Sequence, residues 1–177
     1  MRGIFALAVL AIAGLVSNIA LAREPDLIGP ATVIDGDKIE ISGQRIRLFG
    51  IDAPEISQNC LDEAGVSYRC GQVAAGQLEA LIAARPVRCI EVTRPGWGRV
   101  VAKCRVEDVG IGRWMVRHGF ALDFVKYSKG FYADEQEKAQ DERLGLHAGR
   151  FTPPSEFRDC RRGGGSVEKC SQVVEAQ

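Results

Sequence analysis

Val33-Ile34-Asp35-Gly36-Asp37, followed ten residues on by Arg47-Leu48-Phe49-Gly50-Ile51-Asp52-Ala53-Pro54-Glu55, constrains this chain more than any other feature. Asp-Gly between two apolar-alternating runs is a hairpin signal. Residues 31–34 lead into that turn, Lys38-Ile39-Glu40-Ile41 alternates cleanly, Ser42-Gly43 makes a second tight turn, and residues 45–51 return. In the returning strand Ile46 and Leu48 fall on the face opposite Arg45 and Arg47, so Arg47 points away from the apolar set. Three acidic side chains, Asp37, Asp52 and Glu55, are thereby gathered with one guanidinium around a single hairpin. Hard divalent cations take carboxylate, carbonyl and water oxygens, and a phosphodiester beside such an ion suits an Arg fork. A second arginine, Arg99, stands in the Gly-flanked turn Trp97-Gly98-Arg99-Val100 that opens a later strand. Asp35 reads as turn chemistry, its carboxylate accepting backbone hydrogen bonds, and Pro54 enforces an extended backbone at Ala53.

Residues 60–70 are polar and glycine-bearing, a loop. Residues 71–84 carry Ala74, Leu78, Leu81 and Ile82 at helical spacing. Residues 86–93 and 100–106 are the fourth and fifth strands; Ile111, Trp114 and Met115 mark a short helix ending before Gly119, and Asp134 with Glu137 opens a third helix as a capping-box variant, ended by Gly145. The tail 152–177, with three glycines at 163–165, is expected to be irregular. Five strands with helices between strands three and four and after strand five predict an α+β protein: an OB-fold, the five-stranded Greek-key β-barrel, with about three α-helices.

Residues 1–22 are excluded from this fold. Arg2, an apolar run over 4–16 and Ala20-Leu21-Ala22 before Arg23-Glu24-Pro25-Asp26 read as a secretory signal peptide with an A-x-A cleavage site, the alternative being an uncleaved membrane anchor. A mature chain starting near Arg23, its domain spanning 23–151, retains no stretch of membrane length and is expected to be a secreted or periplasmic monomer. Export changes the meaning of the six cysteines, an even number in an oxidising compartment, none in a Cys-x-x-Cys. Fifteen connectivities exist and sequence alone does not choose among them. Local geometry narrows them: Cys89 and Cys104 lie at similar distances from the turn at Gly96-Trp97 and would face each other across a hairpin, while Cys60–Cys70 and Cys160–Cys170 would each close a short loop. Such a loop is worth roughly 2.5–3 kcal/mol in the chain-entropy model. The alternative, a buried reduced thiol, suits Cys89 and Cys104 best. With 23 basic and 23 acidic residues the formal net charge is zero, so broad electrostatic affinity for nucleic acid is missing and any attraction must be local and metal-assisted.

Over residues 31–151, Asp35-Gly36-Asp37, Arg47, Asp52-x-Pro54-Glu55 and Gly98-Arg99 together resemble the thermonuclease family, the calcium-dependent staphylococcal-nuclease-like phosphodiesterases. The resemblance implies the same barrel and an endonuclease acting on DNA and RNA, with Ca²⁺ as cofactor and 3′-phosphate products. It implies Asp37, Asp52 and the backbone carbonyl of Ala53 as metal ligands, Glu55 as general base or water-positioning group, and Arg47 and Arg99 on the scissile phosphate. Trp97, Tyr127 and Tyr132 are candidate substrate contacts, though packing is the plainer role for the two tyrosines. His118 and His147 read as a helix-end charge and a surface loop residue. Lys38 stands where the family commonly carries Thr, a cation that would either compete with Ca²⁺ or point to solvent. Two other classes of function fit an OB-fold: a non-catalytic nucleic-acid-binding module, disfavoured by the acids kept here, and an accessory enzyme in envelope polysaccharide synthesis.

Overall fold

The computed structural model describes residues 26–96 and 99–172; the expected signal peptide and Trp97 lie outside them. β1 (Leu27–Gly29) is followed by a meander of β2 (Ala31–Asp35), β3 (Lys38–Ile41) and β4 (Gln44–Leu48). The chain continues through β5 (Ile51–Asp52), β6 (Cys60–Leu61), β7 (Ser67–Tyr68) and helix α1 (Cys70–Ile82). A long hairpin, β8 (Val87–Thr93) and β9 (Val100–Val106), leads through β10 (Val109–Gly110) into α2 (Ile111–Arg117). Then come β11 (Leu122–Asp123), α3 (Val125–Ser128), α4 (Ala133–Asp141), a 3-10 turn at Gly145–Ala148, α5 (Pro154–Arg162) and α6 (Val167–Ser171).

The main sheet runs β1-β8-β9-β4-β3-β2, with β10 added to β9, and β1 leans back toward β3 so that the sheet curls on itself. The expected α+β architecture and OB-like topology are present. Alternation along β3, β4, β8 and β9 sends Ile39, Ile41, Ile46, Leu48, Val87, Cys89, Val100 and Ala102 inward, where Ala74, Leu78 and Ile82 of α1 and Met115 of α2 complete the core. The one parallel pairing in this sheet, β4 with β9, sets Ile46 beside Val100 and Arg47 beside Val101. Two arginines 52 positions apart in sequence are thereby brought near each other, Arg47 on β4 and Arg99 immediately before its neighbour β9.

Four local expectations are corrected. The third strand does not run unbroken to residue 51: Gly50, at φ 69°, breaks it, and Ile51–Asp52 pairs with β11 instead. The third helix does not open on a capping box: it begins at Ala133 with no side-chain cap, leaving Asp134 in the first turn, where its charge acts on the helix dipole. β1 and the short β10 raise the main sheet from the expected five strands to seven. The tail from 152 is not irregular; it forms α5 and α6. Pro154 presets φ at the start of α5, the Ser166 side chain caps α6 by accepting from Lys169 N–H, and Phe157 is buried. The three glycines only make the turn between these helices.

The cysteines form three disulfides, Cys60–Cys70, Cys89–Cys104 and Cys160–Cys170, and no described cysteine is free. Cys89 and Cys104 are directly opposite in the β8–β9 register, and Cys60–Cys70 ties the start of α1 to the loop after Glu55.

Gly71, the second residue of α1, shows how tightly that loop is held. A Cβ there would stand 1.8 Å from the carbonyl oxygen of Glu55, whereas one at Gly76 on the same helix would meet nothing within 4 Å. Gly71→Ala is expected to destabilise the protein by about 1–3 kcal/mol through overpacking, and Gly76→Ala to be neutral or stabilising by about 0.5–1 kcal/mol. Thermal melts of the two variants check this; equal melting temperatures would contradict the packing of α1 on the Glu55 loop.

Candidate active site

The turn of the β2–β3 hairpin delivers the first carboxylates. Asp35 Oδ1 accepts the Asp37 N–H at 3.1 Å, closing the turn, and Gly36 packs so closely on Ala53 and Ala74 that a Cβ there would lie 2.7 Å from Ala53. The turn is thus pressed against the run that holds Asp52 and Glu55. Asp37 is only 1% exposed. Arg47 Nη2 reaches from β4 to Asp37 Oδ2 at 2.7 Å and Asp52 Oδ1 at 3.3 Å, so one nitrogen joins both buried acids.

Lys38 does not point to solvent. In the β3–β4 register it lies directly opposite Arg47, a like-charge pairing that would be unfavourable alone. Its Nζ lies 2.5 Å from Asp35 Oδ2, 3.3 Å from Asp37 Oδ1 and 3.6 Å from Glu55 Oε2. Burial alone would pull the Lys38 pKa down, but Asp37, Asp35 and Glu55 outweigh it and hold the ammonium above its ordinary value. A third cation was not anticipated. Arg158 of α5 places Nη1 2.7 Å from Asp52 Oδ1 and 2.9 Å from Glu55 Oε1. Gln58, fully buried, also escaped notice: its Oε1 accepts the Glu55 N–H at 3.3 Å and its Nε2 donates to the Thr152 carbonyl at 2.7 Å. Neither residue belongs to a motif; only their tertiary neighbours reveal them.

Four carboxylates, Asp35, Asp37, Asp52 and Glu55, thus face three cations. Among the described residues no group of three or more acids, histidines or cysteines forms a ready-made metal cage. The donor set nonetheless suits a hard cation that keeps several waters: two buried aspartates joined through one arginine, and an Asp37 Oδ1 that is buried and accepts no hydrogen bond.

Beside Arg47 opens a cleft of about 630 Å³ walled by Arg99, Lys126, Tyr127, Arg158 and Arg162. Its one acid, Asp159, is paired with Arg162. A chain with no net charge therefore brings five cations to one cleft, of which Arg47 and Arg158 also pair with the acids beside it and Arg162 with Asp159. Arg99 is exposed on that wall, and Tyr127 is 57% exposed beside it. Tyr132 is not a substrate contact: it is 4% exposed, donates its hydroxyl to the Phe49 carbonyl at 3.1 Å and packs on Gly112. His118 stacks on Trp114 with Nδ1 2.8 Å from the Trp114 carbonyl oxygen. His147, half-buried in the 3-10 turn rather than on an open surface loop, has its pKa lowered by burial; neither histidine reaches the acids.

Residues 45–148 match the family described as staphylococcal nuclease homologue, and the chain belongs to that family. Arg47, Asp52, Ala53, Glu55 and Arg99 lie inside the matched span; Asp35, Asp37, Lys38 and Arg158 lie outside it. The chain is also 45% identical over 134 residues to the succinoglycan biosynthesis protein ExoI of Rhizobium meliloti (strain 1021), a match covering 75% of this chain and 70% of the relative. Members of the family are typically nucleases.

Burial pushes the Asp37 carboxyl from 3.8 up to about 7, against the pull of Arg47 and Lys38 and with Asp35 beside it adding to the rise. The unfolded chain gives up this proton near pH 4 while the folded chain keeps it to about 7. The stabilisation is therefore full below about pH 4 and is lost as pH rises through about 7. Asp37→Asn, which cannot ionise, should gain stability relative to wild type as pH is raised from 4.5 to 8 in chelator. Melting curves at both pH values test this; a difference that does not change with pH would contradict it.

Proposed function

We propose that this protein is an exported, Ca²⁺-dependent endonuclease that hydrolyses phosphodiester bonds of DNA and RNA and leaves 3′-phosphate ends. The observation that carries this reading is that Arg47 and Arg158, which hold Asp37, Asp52 and Glu55, also line the basic cleft to which Arg99 belongs. Asp37, Asp52 and the Ala53 carbonyl would hold Ca²⁺, which when bound supplies positive charge to a phosphoryl oxygen. Glu55 takes up or aligns the proton of the attacking water. Arg47 and Arg99 stabilise the charge that gathers on the phosphorane-like oxygens as the 5′-oxygen leaves. Lys126 and Arg162, exposed on the cleft wall, bind the flanking phosphates, and Tyr127 offers an exposed ring for a base.

Three disulfides support an oxidising compartment, periplasmic or extracellular, as does the leader sequence at 1–22. No described helix is long and apolar enough to cross a membrane. The name of the 45% identical relative favours a second setting, in which the protein serves envelope polysaccharide synthesis. Cleavage of plain DNA or RNA separates the two.

The mature chain should cleave single-stranded DNA and RNA with Ca²⁺ and lose that activity in chelator; full activity in chelator, or none with any divalent ion, would refute the proposal. Arg47→Ala, Arg99→Ala and Glu55→Ala should each slow turnover by a factor on the order of 10² or more, and Arg47→Ala should also lower the melting temperature because it leaves Asp37 and Asp52 buried without their shared cation. A variant cleaving at the wild-type rate would show its role misassigned. Lys38 raises a separate expectation, since its ammonium competes for the same oxygens. Lys38→Thr should tighten Ca²⁺ binding about tenfold or more by calorimetric titration, and unchanged affinity would remove Lys38 as a competitor.

A further inference from the structure

The family match stops at residue 148, yet the acid cluster is completed from beyond it. Arg158 is carried by α5, and its side chain is 21% exposed against 3% for Asp52 and 23% for Glu55. We infer that Arg158 is a positioning residue for the hydrolysis proposed above, on which this inference rests. By bridging Asp52 Oδ1 and Glu55 Oε1 from one nitrogen, the guanidinium sets the Glu55 carboxylate at a fixed distance from the metal-side aspartate. One Glu55 oxygen is thereby engaged. The other, Oε2, faces Lys38 Nζ at 3.6 Å and is the oxygen left to handle a water.

The helix that carries Arg158 is held by contacts that converge on the same loop. Gln58 ties the Glu55 N–H to the Thr152 carbonyl just before α5, and Asn59 N–H donates to Ser171 Oγ of α6 at 3.1 Å. The Cys160–Cys170 disulfide closes α5 on α6, with Gly165 so near that a Cβ there would lie 2.4 Å from Cys170 Sγ and 2.6 Å from Cys160 Sγ. Phe157, next to Arg158, is buried. A helix pair added only to cover a surface would not need to send a guanidinium between the two acids on which the chemistry turns. The disulfide-closed pair is on this reading a working part of the site: it delivers Arg158 and, with Arg162, one wall of the cleft.

The test uses the full mature chain with Ca²⁺ and a single-stranded DNA oligomer. Arg158→Ala should lower kcat about 10- to 100-fold, the range for losing a residue that orients a catalytic ligand, while KM moves by less than about twofold. Free guanidinium, added well below denaturing concentration, should restore part of kcat in Arg158→Ala and nothing in Glu55→Ala. Arg158→Lys, which keeps a charge but not the planar fork, should fall between wild type and Ala. The double variant Cys160→Ser/Cys170→Ser, which keeps Arg158 but unclasps its helix, should also lose kcat. Wild-type kcat in Arg158→Ala would overturn the inference, as would a loss that follows melting temperature and is not rescued by guanidinium. Wild-type kcat in the double cysteine variant would overturn the part given to the disulfide. Absence of cleavage by the wild-type chain would overturn the hydrolase reading and this inference with it, whereas active wild type matched by Arg158→Ala overturns the inference alone.

Discussion

Arg47 is the contact on which the site depends. Asp37 and Asp52 are both buried, and two carboxylates side by side in a low-dielectric interior repel and lose their hydration. One guanidinium nitrogen shared between them offsets part of both costs. It also adds a side-chain link between three segments that backbone pairing and close packing already bring together: the hairpin turn, the strand β4 and the short β5. The β2–β3–β4 meander brings Arg47 to the turn, and the break at Gly50 redirects the chain so that Asp52 faces the same nitrogen.

Around that contact the charges are arranged more tightly than a metal site alone would require. Lys38 and Arg158 approach different oxygens of Glu55, and each also touches an aspartate. Every acid of the cluster thereby faces a cation, and at Asp37 burial still outweighs their pull. The same arrangement places the Lys38 ammonium against the oxygens proposed above to hold an ion. Burying Asp37 costs stability at neutral pH, the kind of local expense expected where a fold keeps charged groups for a site.

The C-terminal helices extend this logic beyond the family core. A barrel-end site built from a hairpin and a loop is open on one side, and α5 with α6 closes it. Their anchoring to Gln58 and Asn59 means that the loop after Glu55 is held from three directions: by the Cys60–Cys70 disulfide, by the close approach of Gly71, and by the C-terminal pair. Such multiple restraint is what keeps a carboxylate within the narrow geometry that proton transfer needs.

The strands, the inward set of isoleucines, leucines and valines, the long helix and the acids around the hairpin were legible in the sequence because each depends on local periodicity or turn chemistry. The opposition of Cys89 and Cys104 followed from a hairpin's symmetry about its turn. Less was legible wherever a residue's role depends on a partner far along the chain. Nothing in the run Pro153-Pro154-Ser155-Glu156-Phe157-Arg158 marks its arginine as different from Arg161 or Arg162; only the docking of α5 selects it, because one of three neighbouring guanidinium groups faces Asp52. Tyr132 and Tyr127 likewise look alike in sequence, and packing against Gly112 buries the first while the second stays on the cleft wall. Lys38 could face either way until the bulge between Val33 and Asp35 and the tight Gly36 turn aimed it at the acids. By itself, then, the sequence determined the elements and the chemical types available to the site. The tertiary structure decided which charges meet, because electrostatic partnership is set by distance in space and the chain's order along its length does not encode it.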